Sequence, residues 1–254
     1  MNRRTFPVFV ESLACAWALT CLAGSACGAE SPASAAAASA SAPSAAEDGI
    51  APPSRAENLL FSTPQLASLH EPMKLHYDYE DDEGKVHTAD HVTLVLAARP
   101  NGSCCATHVD YRSGAAEVSR ADLDDPGTNP VLLHFLVEQV QTISRATQGQ
   151  PTHFQRRMRQ ALADEAVVKD TTVRWEGKDV PAQVVHIAPF IKDPYRVRFE
   201  HEARTEYEFV LSQAVPGGIV RLSETLPGEK EGDPPLSQRT LSLVDPQPAP
   251  PARK

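Results

Sequence analysis

Apolar residues recur with a period of two along most of this chain and with a helical period over one stretch only. Met73-Lys74-Leu75-His76-Tyr77-Asp78-Tyr79-Glu80 is apolar at every second position, the pattern of a half-buried strand. Asp81-Asp82-Glu83-Gly84 predicts a turn, and Val86 to Ala98 a second strand, apolar on both faces over Val92 to Leu96. Arg99-Pro100-Asn101-Gly102 reads as a hairpin, because Asn-Gly adopts positive φ at little cost. Cys105, Thr107, Val109 and Tyr111 then alternate along a third strand. The result is an antiparallel meander.

The helical period follows. Thr128 or Asn129 can cap a helix whose first turn accepts Pro130, and Val131, Leu132, Phe135, Leu136, Val140 and Ile143 form its apolar stripe. Gly149-Gln150-Pro151 ends it. Thr152 is placed to cap a second helix with Phe154, Met158, Ala161 and Leu162 inward and Arg156, Arg157 and Arg159 mostly outward. Strand periods return at Thr171 to Trp175, Val180 to Ile187, Tyr207 to Leu211, Ile219 to Leu226 and Leu241 to Leu243. Over Asp193 to Glu202 the alternation of Tyr195, Val197 and Phe199 favours a strand, while Asp193-Pro194 favours a helix start. Strands run consecutively and do not alternate with helices, which fits an antiparallel α+β domain better than a doubly wound sheet. The expected fold is α+β: a curved antiparallel β-sheet of about eight strands with a two-helix insertion packed on one face.

Two tracts flank this region. Residues 1–29 begin with Arg3 and Arg4, pass through apolar Leu13 to Ala26 and end in small residues, the layout of a secretory signal peptide. The apolar core falls short of the roughly 20 residues a membrane span needs. Cleavage after Ala26 or Ala29 would release a soluble periplasmic or secreted protein. Lipidation at Cys27, or at Cys21, would instead leave a membrane-anchored lipoprotein. Residues 30–57 read as a disordered Ala/Ser/Pro-rich linker, 58–245 as one α+β domain and 246–254 as a disordered Pro-rich tail.

Formal net charge is −9, and losing residues 1–29 makes the remainder one unit more acidic. Such a chain is repelled by phosphate backbones and by anionic lipid headgroups, so no nucleic-acid partner is expected, and membrane contact is expected only through a lipid anchor. Beyond residue 29 only Cys104 and Cys105 remain, adjacent and unable to staple distant segments. They read either as a redox or metal-binding pair or as one core and one exposed cysteine on a strand, with the second reading favoured.

Nine histidines raise the question of a metal. His87-Thr88-Ala89-Asp90-His91 would share an ion on a helix, but residues four apart on a strand lie about 13 Å from each other. With zinc–nitrogen bonds of about 2.1 Å, one ion does not bridge them. There is no Gly-x-Ser-x-Gly, no His-Glu-x-x-His and no Gly-rich phosphate loop, and Gly217-Gly218 after Pro216 reads as a turn. Glu200 with Glu202 and Glu206 with Glu208 lie near Arg196, Arg198 and Arg204, the look of a solvated acid–base row. No catalytic residue, metal ligand or cofactor is assigned.

In its order of elements from Met73 to Leu243, the chain resembles in outline the periplasmic lipoprotein carriers and receptors of Gram-negative bacteria, whose half-barrel sheet and helices enclose an apolar groove. It is also similar in style to uncharacterised exported proteins of those bacteria. The resemblance implies a groove lined by Tyr77, Tyr79, Leu132, Phe135, Leu136, Ile143 and Trp175; the alternative is that these residues fill the core. The leading expectation is a non-enzymatic envelope protein that binds an apolar small molecule or an envelope partner. A hydrolase or metal enzyme with a site assembled across strands, and an interaction module without a pocket, are the alternatives.

Overall fold

The computed structural model describes residues 51–83, 85–113, 116–119, 123–124, 128–244 and 247–248. Residues 1–29, expected to be a signal peptide and containing Cys21 and Cys27, lie outside the described residues, as does the side chain of Tyr111.

One open antiparallel sheet carries the fold. Its strands are β1 (Met73–Glu83), β2 (Val86–Ala97), β3 (Ala106–Ser113), β4 (Ala116–Ser119), β6 (Val167–Trp175), β7 (Lys178–Ile187), β8 (Glu206–Leu211), β9 (Ile219–Leu226) and β10 (Ser237–Leu243). They are ordered β4-β3-β2-β1-β10-β9-β8-β7-β6. Two-residue bridges complete it: β5 (Leu123–Asp124) on β3 and β11 (Gln247–Pro248) on β1. The chain thus builds two meanders, before and after the helices, and joins them where β1 meets β10. That seam pairs Tyr77 with Leu243 and Tyr79 with Leu241.

Three of the expectations at element boundaries give way. The acids of Asp81-Asp82-Glu83 do not turn the chain; β1 runs through them, because each is held on both sides by Arg239 to Ser237 and by Thr88 to Val86. Residues 193–204 form neither strand nor α-helix but 3-10 turns at Arg196–Arg198 and Glu200–Arg204. Cys104 and Cys105 do not split between core and surface; both are half-buried and their sulfurs are joined.

The helices are α1 (Arg55–Glu57), α2 (Pro130–Thr147) and α3 (Pro151–Asp164). Ser54 closes a capping box with Glu57, and the chain continues into a π-helical turn, Asn58–Ser62. Ala56 and Leu60 are buried there, so ordered structure reaches into the tract expected to be linker. Asn129 caps α2 as anticipated, accepting from Val131 N. Its amide also donates to Gly217 O at 2.7 Å, and its own backbone N–H donates to Gln65 Oε1. Gly217 has φ +76°, and a Cβ there would meet Leu75 at 2.7 Å, so the turn needs glycine. Thr152 does not cap α3: Pro151 takes the first helical position and Gln150 precedes it without a side-chain cap.

The core lies between α2 and the inner sheet face. Leu75, Tyr77, Val92, Leu94, Val185, Ile187, Tyr207, Phe209 and Leu222 come from the strands, and Val131, Leu132, Phe135 and Ile143 from α2. Phe135 meets Phe209 edge-on at 6.3 Å between centroids. On the other side of α2, α3 adds Phe154, Met158 and Leu162 to the same cluster.

Candidate functional site

Cross-strand register writes the inner face in rows. Phe209, Leu222, Leu241 and Tyr79 lie opposite one another in sequence, ending at Asp90. The next row, two residues along each strand, runs Tyr207, Glu224, Arg239, Asp81 and Thr88. An apolar row therefore borders a charged row under α2. In the charged row Arg239 donates from Nη1 to Glu224 at 2.9 Å and from Nε to Asp81 at 3.2 Å.

Above these rows the sheet and α2 do not close completely. A 570 Å³ cleft remains, with Tyr79, Val92 and Leu241 on the sheet side and Phe135, Glu138, Thr142 and Arg145 on the helix side. A second cavity of 160 Å³ lies next to it, toward Tyr207 and Leu226. The two share Glu83, Gln139, Thr142, Ala146 and Arg239, so Arg239 stands at their junction.

Burial sets the electrostatics here. It raises the Glu224 carboxyl above its ordinary value, against the pull of Arg239. Burial likewise pushes the Tyr79 hydroxyl up to about 12, aided by Asp81. For Arg239 burial works against the charge, but Glu224 and Asp81 outweigh it and hold the guanidinium above its usual range. The charges in this row are thus committed largely to one another. What they offer is a fixed polar wall beside an apolar floor.

Of the groove residues expected from sequence, Tyr79 and Phe135 line this cleft. Ile143 faces the smaller cavity. Tyr77 and Leu132 are fully buried. Leu136 faces away, into a 490 Å³ groove between α2 and α3 with Phe61, Val137, Val140, Met158 and Leu162. Trp175 sits at the far hairpin, paired with Lys178 across a turn made by Glu176 and Gly177, both at positive φ. The structure therefore distributes the seven residues among cleft, core, outer groove and hairpin.

Sequence reasoning missed Arg239, Glu224 and Asp81. Strand parity carried the signal: Asp81 is in phase with Leu75 and Tyr77, Glu224 with Leu222 and Leu226, and Arg239 with Leu241. It also misplaced Arg157. That side chain turns inward, its Nε 3.1 Å from the fully buried carboxylate of Asp193, which accepts a contact from His153 Nε2 at 2.9 Å as well. Arg157 also donates from Nη2 to Pro189 O.

None of the paired acids lines the larger cleft, and only Glu202 reaches the smaller cavity beside it. Glu206 pairs with His186 at 3.2 Å and Glu208 with Arg221 at 2.8 Å on the opposite face. Among the described residues no three His, Cys, Asp or Glu side chains are grouped to hold a metal ion, and no helix is long and apolar enough to cross a membrane.

Two solved mycobacterial structures show a loose likeness to this chain. The lipoprotein LppX of Mycobacterium tuberculosis is 11% identical with a TM-score of 0.27, over 68% of this chain and 85% of that one. LprF from Mycobacterium bovis is 11% identical with a TM-score of 0.29, over 79% and 96%. At such scores the likeness stops short of superposable architecture, and no residue or role transfers. No family model and no curated protein matches the sequence.

Proposed function

We propose that this is a non-enzymatic cell-envelope protein, exported by its N-terminal segment, that holds a molecule with an apolar part in the cleft between α2 and the sheet. The cleft itself is the supporting observation. Its 570 Å³ falls within the roughly 300–1,000 Å³ of small-molecule sites. Tyr79, Val92, Phe135 and Leu241 supply an apolar floor, and the walls around it are mostly polar, with Asp81, Asp90, Glu138, Arg145 and Arg239 among them. Arg239 holds both Glu224 and Asp81 Oδ2, while the second Asp81 oxygen, Oδ1, is buried without a partner and is a polar group left for a bound molecule.

Titration with the neutral apolar fluorophore N-phenyl-1-naphthylamine tests this reading. Thr142 is half-buried and lines both cavities, so Thr142→Trp fills the space they share. The wild-type chain should enhance the fluorescence saturably, and Thr142→Trp should weaken binding at least tenfold. Val137→Asp, in the outer groove, should leave it unchanged. Loss in Val137→Asp with retention in Thr142→Trp would move the site to the α2–α3 groove and refute the cleft.

A further inference from the structure

Among the described residues, three of the seven exposed large apolar side chains fall in one short segment. Ile191 is 48%, Tyr195 54% and Val197 85% exposed, and all three fall within seven residues. Lys192, Arg196 and Arg198 are interleaved with them, and all are exposed. The one acid of the segment, Asp193, is fully buried and engaged by His153 and Arg157. Lys192 reaches Glu165 on the α3 side at 3.1 Å. Glu200 and Glu202 follow only in the next turn. On a chain of net charge −9, this is a local basic and apolar surface.

The segment is also preformed. Asp193 Oδ1 accepts from Tyr195 N at 2.8 Å, Arg196 N donates to Asp193 O, and Arg198 N donates to Tyr195 O. Arg196 Nη1 closes back on Ile191 O at 3.2 Å. The His153 ring, held by Asp193, packs on Tyr195 at 5.8 Å between centroids. Apolar side chains held out in water by so many backbone and side-chain bonds have their ordering cost met before any partner arrives.

We propose that Ile191–Arg198 is a docking turn for an anionic lipid surface. Ile191, Tyr195 and Val197 enter the interfacial layer, where the amphipathic ring of tyrosine is well placed, and Arg196 and Arg198 meet lipid phosphates, with Lys192 beside them paired to Glu165. The net negative charge of the whole chain does not forbid this. Charges more than about 10 Å from the contact are screened at 0.1 M salt, so the sign of the local patch decides. A fluid surface also needs no matched pocket for Val197, which stands almost clear of the fold. This docking is separate from the cleft and stands or falls without it.

Vesicle co-sedimentation of the full chain with Cys21→Ser and Cys27→Ser, which carries no lipid anchor, tests the proposal. The N-terminal segment is common to every variant and drops out of the comparison. Binding to phosphatidylglycerol vesicles should exceed binding to phosphatidylcholine vesicles and fall with salt. Arg196→Glu/Arg198→Glu should reduce the phosphatidylglycerol partition coefficient at least tenfold, since each basic residue near an anionic surface is worth about a fivefold change. Val197→Asp should reduce it as well, with unchanged circular dichroism. Equal binding by wild type and both variants would overturn the proposal. Failure to prefer phosphatidylglycerol, with capture of an acidic protein that the variants no longer capture, would overturn it in favour of a protein partner.

Discussion

Arg239 and Glu224 face each other across neighbouring strands, with Nη1 of the arginine donating to the carboxylate at 2.9 Å and side chains only 12% and 7% exposed. Two charges removed from water in this way cost desolvation energy that only their mutual contact, and the second contact to Asp81, offsets. They also keep the inner face polar at the point where α2 lifts away from the sheet.

Breaking the pair should therefore cost more than replacing it. Arg239→Met leaves Glu224 buried without its partner and should destabilise the domain by about 3 kcal/mol in urea unfolding. Adding Glu224→Leu should recover most of that loss. A double variant no more stable than the single one would show that the pair is not the reason for the penalty.

The raised Glu224 carboxyl gives a pH signature of definite sign. Its folded form binds a proton more tightly than the unfolded chain, so its contribution to stability is fully present below the ordinary value of 4.5. That contribution is lost as pH rises from 4.5 through the folded value. The stability of wild type relative to Glu224→Gln should fall over this window and then level off, as measured by urea unfolding at stepwise pH. A rise over the same window would mean that Arg239, not burial, dominates the carboxyl.

Asn129 ties Gln65, α2 and the Gly217 turn together. Asn129→Ala removes the cap on Val131 N and leaves the buried Gly217 carbonyl without its donor, which should cost about 2–3 kcal/mol. Asn129→Asp preserves the cap but sets a carboxylate against that carbonyl, and should be no better. Thermal unfolding of the two variants distinguishes a cap-only role, in which the Asp variant would match wild type, from the joint role.

Much of the architecture was readable from period and punctuation. The Met73–Glu80 alternation, the Asn101-Gly102 turn and the Asn129-Pro130 start all act through neighbours in sequence, and each appears in the fold. The curved antiparallel α+β sheet follows from the consecutive order of strands. The site was less readable, because its defining residues break the apolar pattern on the inward side. Three acids before Gly84 look like a turn until β10 supplies Arg239 opposite Asp81, from 158 residues away. Arg157 sits in a run of arginines that reads as solvated, and its reason to turn inward, Asp193, comes from a segment whose own alternation suggests a strand. Helical spacing marked Leu136 as equivalent to Phe135, yet their 100° separation around α2 sends one to the outer groove and the other to the cleft.

Occupancy of the cleft is the most direct question. Native mass spectrometry of the protein purified from its own host, followed by the same sample under denaturing conditions, measures it. The wild-type chain should carry an extra mass that disappears on denaturation, and the Thr142→Trp chain should carry none. A wild-type chain with no extra mass, or a Thr142→Trp chain that retains the same mass, would contradict the assignment of the cleft between α2 and the sheet as a binding site.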